Sequence, residues 1–119
     1  MKFGLLFYEA HGDFESRTSE NQPAYWGAWE AYSKSLKAAG VWQPENGGMA
    51  LQTPCQAHTV QRNEGGRKVQ DGPFANTKEQ LGGVMVIEAA TLDEALAWAA
   101  RAPCASTGAV EVRPIWTMG

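Results

Sequence analysis

The side chains of this chain best placed to move a proton are a carboxylate in a rigid turn and an imidazole just past an apolar segment. Asp71 is the carboxylate. Gly72, next to it, tolerates backbone angles closed to other residues, and Pro73 then fixes the chain direction. Phe74 can anchor the turn in apolar surroundings. A carboxylate held this way suits a general base or a ligand contact, because it is positioned before the reaction begins. An Asx-type turn, in which the same carboxylate bonds its own backbone amides, explains Asp-Gly-Pro equally well, so both roles stay open. His11 is the imidazole. It follows the first apolar run, at the kind of strand end where sites in α/β sheets gather, and a solvated loop histidine is the alternative. His58 opens a later strand and reads as structural or exposed.

Further residues are candidates for ligand contacts. Lys78 and Glu79 follow the Asp71 turn, and Arg113 near the C-terminus can neutralise an anionic ligand or Asp71 itself. Glu45 lies beside Pro44 in an irregular segment that can approach the same cleft. Trp26, with Tyr25 and Trp29, can wall an aromatic pocket, although helical spacing also suits these rings to a core stripe. The alternation Glu9, His11, Asp13, Glu15 has the look of a metal site, but two histidines and no CxxC or HxxxH give no ligand set, so no metal is expected. No glycine loop has phosphate-binding or dinucleotide spacing, and no nucleophile motif occurs, so no cofactor is expected.

These residues belong to a single domain over residues 1–119. Ten Lys plus Arg against thirteen Asp plus Glu give a net charge of −3 without a basic stripe, which argues against direct nucleic-acid binding. No apolar run reaches the length of a membrane span, and the N-terminus reads as a strand, not a signal peptide. Cys55 and Cys104 lack metal or redox spacing and read as free thiols in a reducing cytoplasm.

The pattern predicts the elements that must hold the candidates. Residues 2–9 and 84–87 are apolar on both faces, as central strands are. Residues 10–22 read as a polar loop, and residues 23–39 as a helix with Pro23 in its first turn and Gly40 beyond its end. Residues 41–57 are ambiguous. Residues 58–62 and 67–71 flank a Gly-containing connection of hairpin length. Residues 77–80 have capping-box spacing and predict a short helical turn. A second capping box, Thr91 to Glu94, opens a helix whose expected buried stripe is Leu92, Ala95, Leu96 and Ala99. The last strand carries Val110, Val112 and Pro114 on one face, and Pro114 places it at a sheet edge. The order β-α-β-β-α-β with an extra hairpin predicts an α+β ferredoxin-like sandwich. One sheet face is then left without cover in the chain, and a second copy is its simplest partner.

The run over residues 71–83, Asp-Gly-Pro-Phe-Ala-Asn-Thr-Lys-Glu-Gln-Leu-Gly-Gly, resembles the signature of the DGPF-type, YCII-related proteins. Residues 92–99, the ending over residues 110–114 and the opening over residues 1–7 are similar to the same family in the same order, so the resemblance covers nearly the whole chain. It implies a small bacterial domain of the dimeric α+β barrel class, working as a homodimer. The wider superfamily has a His–Asp pair proposed as an acid–base couple, which His11 with Asp71 can imitate, although His11 matches no family motif residue by residue. It implies an enzyme acting on a small-molecule ligand in a lyase- or dehydrochlorinase-like step. The alternative it implies is a non-catalytic metabolite-binding or accessory module, with a sigma factor as partner.

Overall fold

A computed structural model describes residues 1–118. The elements run β1 (Lys2–Glu9), α1 (His11–Ser16), α2 (Gln22–Ala38), β2 (Gly48–Ala50), β3 (His58–Asn63), β4 (Gly66–Asp71), β5 (Gln80–Glu88), α3 (Leu92–Ala100) and β6 (Ala109–Pro114). Four strands form an antiparallel sheet in the order β2-β5-β1-β6, and β3 and β4 form a separate two-stranded sheet. This is the expected ferredoxin-like α+β sandwich with an inserted hairpin.

Strict alternation sets the layers. Phe3, Leu5 and Phe7 of β1 lie opposite Ile87, Met85 and Gly83 of β5 and form the buried face. Tyr32 and Leu36 of α2 and Ala95 and Ala99 of α3 close over that face. α3 meets the sheet through alanines, whose small side chains let the helix approach. Leu92 and Leu96, expected in its buried stripe, stand 48% and 46% exposed instead. Half of the expected capping box forms: Thr91 Oγ1 accepts the Glu94 N–H at 3.2 Å, while the Glu94 carboxylate accepts the N–H of Ala90, one residue before the cap, at 2.9 Å. On the opposite face Leu6, Val84 and Val86 are half-buried, and no described element lies across them.

Two local expectations are corrected. The polar stretch after β1 contains helix α1, whose start is fixed by Asp13 Oδ2 accepting the Ala10 N–H at 3.1 Å. Residues 77–80 make no helical turn: Thr77 Oγ1 donates to the Glu79 carbonyl at 2.5 Å instead of capping a helix, and Gln80 already begins β5. The ambiguous residues 41–57 hold β2 between two 3-10 turns, Pro44–Asn46 and Pro54–Gln56. No described helix is long and apolar enough to cross a membrane.

Candidate functional site

The alternation that buries Phe3, Leu5 and Phe7 continues one step further and buries a carboxylate. Glu9, at the end of β1, is 2% exposed. Such a group is costly unless paired and hydrogen-bonded. Its partners come from the two helices that follow. Arg17, at the end of α1, donates from Nη2 to Glu9 Oε2 at 2.7 Å, and the Tyr25 hydroxyl of α2 donates to Glu9 Oε1. Arg17 Nε donates in turn to the Tyr25 oxygen at 3.0 Å, closing a three-residue ring of contacts. The guanidinium also bonds the carbonyls of Gly82, at 2.9 Å, and Leu51. It lies over the rings of Phe14, Trp26 and Tyr25, at 4.9, 5.5 and 5.7 Å from their centroids. Burial, reinforced by the bond to Glu9 and opposed by Arg17, holds the Tyr25 hydroxyl well above the usual phenol range, so it keeps its proton.

The end of the residue 71–83 run makes room for this cluster. The pairing of β1 with β5 slips between Phe7 and Tyr8, leaving Gly82 as an extra residue opposite the slip. The bulge turns the Gly82 carbonyl toward Arg17.

An apolar cavity of about 200 Å³ opens beside the cluster. Phe7, Trp26, Trp29 and Trp42 form its aromatic walls, Met85 adds a thioether, Met49 borders it from the edge strand, and Glu9, Arg17 and Tyr25 supply its polar end. Phe7 and Trp29 meet edge to face at 4.8 Å between centroids. An apolar cavity of about 150 Å³ holds benzene, so this space is scaled to one substituted ring. Glu9 and Tyr25 also line a second cavity of about 290 Å³, bordered by Asp13, Ser16, Asn21 and Cys104. The carboxylate therefore stands between an apolar chamber and a more polar one.

Of the residues singled out in the sequence, Trp26, Tyr25 and Trp29 line the apolar cavity. Asp71 and His11 are not brought together by any described hydrogen bond. Asp71, with its side chain 95% exposed, lies 3.2 Å from Nδ1 of His58 across the β3–β4 pair. His11 Nε2 lies 2.9 Å from Glu15 on α1, and both side chains face solvent. Gly72 has the positive φ, +94°, that the turn requires, and bonds back to Ala57, so the Asp-Gly-Pro segment closes the base of the hairpin. Phe74 is 72% exposed, Lys78 is exposed and Glu79 half-buried. Glu45 is exposed in the first 3-10 turn, and Arg113 bonds Glu111 two residues away. Sequence reasoning met Glu9 only in a metal-like alternation that it set aside, and missed Arg17. The available signal was parity: Glu9 occupies an inward position of an apolar strand, where a carboxylate needs a buried cation.

Comparison with known proteins agrees with this architecture. A model of the YCII-related domain matches residues 1–119. An uncharacterised protein of Rhizobium meliloti (strain 1021) is 51% identical over 61 residues, which is 50% of this chain and 49% of the relative, so the match spans about half the relative's length. Among solved structures, the chain is similar to the 5-chloro-2-hydroxyhydroquinone dehydrochlorinase of Burkholderia phenoliruptrix AC1100 in complex with 2,5-dihydroxybenzoquinone. The TM-score is 0.54 at 21% identity, covering 100% of this chain and 96% of the other. That likeness concerns the fold.

Proposed function

The chain belongs to the YCII-related domain family, and on that premise we propose that it is a small-molecule enzyme that moves a proton on a ring compound held in the apolar cavity. The observation that carries this reading is Glu9, a carboxylate removed from water on the wall of a chamber sized for one ring. In a lyase-type elimination from the keto tautomer of the ring, whose chlorine-bearing carbon carries a hydrogen, Glu9 takes the proton of a remaining ring hydroxyl; the O–H electron pair becomes a C=O bond, the ring double bond shifts to the chlorine-bearing carbon, and chloride departs with its bonding electron pair, leaving a quinone. Arg17 balances the carboxylate's charge, and Tyr25 holds one of its oxygens in place. The second cavity, on the other side of Glu9, offers the proton a route to solvent through Asp13 and Ser16. The similar dehydrochlorinase, which acts on a chlorinated hydroxyhydroquinone, supports the choice of ligand class.

The test is titration with 2,5-dihydroxybenzoquinone followed by tryptophan fluorescence, with chloride release from 5-chloro-2-hydroxyhydroquinone as the activity assay. Saturable quenching that weakens at least tenfold in Trp29→Ala supports the cavity as the site. Absence of quenching up to millimolar probe overturns it. The competing acid–base reading, Asp71 with His11, requires instead that Asp71→Asn abolish turnover while leaving the fold intact.

A binding role without chemistry has its own supporting observation. Both Glu9 oxygens already accept bonds from Arg17 and Tyr25, and a ligand must displace or share one of them to reach the carboxylate. Tight probe binding without chloride release across chlorinated hydroquinones favours that reading.

We further propose that the chain works as a homodimer, through the open sheet face of Leu6, Val84 and Val86, with Met49 at 61% and Ile115 at 44% exposure beside it. Light scattering at micromolar concentration tests this, and a mass of 12.9 kDa contradicts it.

A further inference from the structure

The β3–β4 hairpin stands apart from the body. Its strands pair with each other from His58 opposite Asp71 to Asn63 opposite Gly66, and they pack substantially on no other element. All of β4 is exposed, and in β3 only Thr59 is half-buried. The radius of gyration, 15.9 Å, exceeds the value of about 13.5 Å typical of a compact chain of this length, as a projecting arm requires. An isolated two-stranded hairpin is at best marginally stable in water. This one therefore calls for cover from outside its own chain.

One face of the arm states what kind of cover. The register puts three cross-strand pairs on that face: His58 with Asp71 at the base, Val60 with Val69 in the middle, and Arg62 with Arg67 near the tip. Val60 and Val69 are 59% and 51% exposed. Like charges placed directly opposite each other destabilise a strand pair, so the two arginines are in conflict until a carboxylate surface comes between them. Over residues 58–71 the arm has three cations, Arg62, Arg67 and Lys68, against Glu64 and Asp71, so the arm carries +1 and the rest of the chain −4 of the net −3. A second copy of the chain thus presents an acidic body to a basic arm.

We propose that the β3–β4 arm clasps a second copy of this chain, burying Val60 and Val69 and placing Arg62 and Arg67 against carboxylates of the partner's body. This rests on the homodimer reading and adds to it a second contact, separate from the open sheet face. The arm face is exposed, so substitutions there leave the core untouched.

Sedimentation equilibrium over a dilution series compares the wild type, the double variant Arg62→Glu/Arg67→Glu, and Leu6→Lys on the sheet face, with circular dichroism as a folding control. The expected result is a dimer dissociation constant raised at least tenfold by the arm reversal at unchanged circular dichroism, and raised in the wild type by added salt. Amide protection of Val60 and Val69 rising with protein concentration gives the same answer independently. A wild-type dimer whose constant the arm reversal leaves unchanged, while Leu6→Lys dissociates it, overturns the arm and leaves the sheet pairing standing. A monomeric wild type overturns both.

Discussion

Gly82 lies so close to Glu9 that a Cβ on it would fall 1.9 Å from Glu9 Oε2 and 3.0 Å from Arg17 Nη2. The glycine at the end of the residue 71–83 run is thus a space reserved for the buried carboxylate. Gly82→Ala is expected to displace Glu9 or Arg17 and to cost about 1–3 kcal/mol of stability, as overpacking does. Urea denaturation measures the loss. Combining it with Glu9→Ala, which vacates the space, is expected to give less than the sum of the two single losses. Strict additivity would show that Gly82 and Glu9 are energetically independent.

Arg17 is the cation that makes Glu9 tolerable in the core, since the pair is 8% and 2% exposed. Arg17→Met keeps much of the side-chain volume and leaves the carboxylate without its charge partner. Breaking a buried pair from one side typically costs about 3–5 kcal/mol, and a loss of that order is expected in chemical denaturation. The double variant Arg17→Met/Glu9→Gln is expected to recover part of it. A loss below about 1 kcal/mol would be that of a surface pair instead.

Alkaline pH is expected to unfold the protein through protons it holds too tightly. Burial, followed by the charge of Glu9, pushes the Cys104 thiol up from 9.0 to about 12, and burial first of all raises Tyr25 and Tyr32 above the phenol value of 10.0. Each group stays protonated in the folded chain after it has ionised in the unfolded one. Stability is therefore full below about pH 9, the thiol's unfolded value, and falls as pH rises from there. Thermal melts between pH 7 and 11 measure this, and Cys104→Ala is expected to flatten the first part of the decline. A melting temperature independent of pH up to 10.5 in the wild type would contradict the burial of the thiol.

The framework was legible because its signals are local and redundant. The doubly apolar strands, the Thr91–Glu94 box, Pro23 and Gly40 each fix one boundary, and the hairpin registers through its glycine-containing turn. The site was less legible because it depends on contacts distant in sequence. Arg17 reaches Gly82 and Leu51, 65 and 34 residues away, and no spacing rule announces such a meeting. Sequence reasoning favoured Asp71 because a rigid turn looks like a prepared site. The structure places that turn at the foot of a projecting hairpin, where Gly72 bonds Ala57 and Thr59 bonds Gly72. Leu92 and Leu96 misled for a related reason: periodicity gives the apolar residues of a helix, but alanine size decided which of them meets the sheet.

We place the chemistry in the cavity beside Glu9 and not at the Asp71 turn. The most direct measurement compares Glu9→Gln and Asp71→Asn for binding of the hydroxylated quinone probe and for chloride release. Glu9→Gln keeps the shape of the side chain and removes its charge. Glu9→Gln is expected to lower turnover by about 100-fold or more, the scale of a lost general base, while Asp71→Asn is expected to stay within about threefold of wild type. Loss of turnover in Asp71→Asn, with Glu9→Gln unimpaired, would contradict that placement.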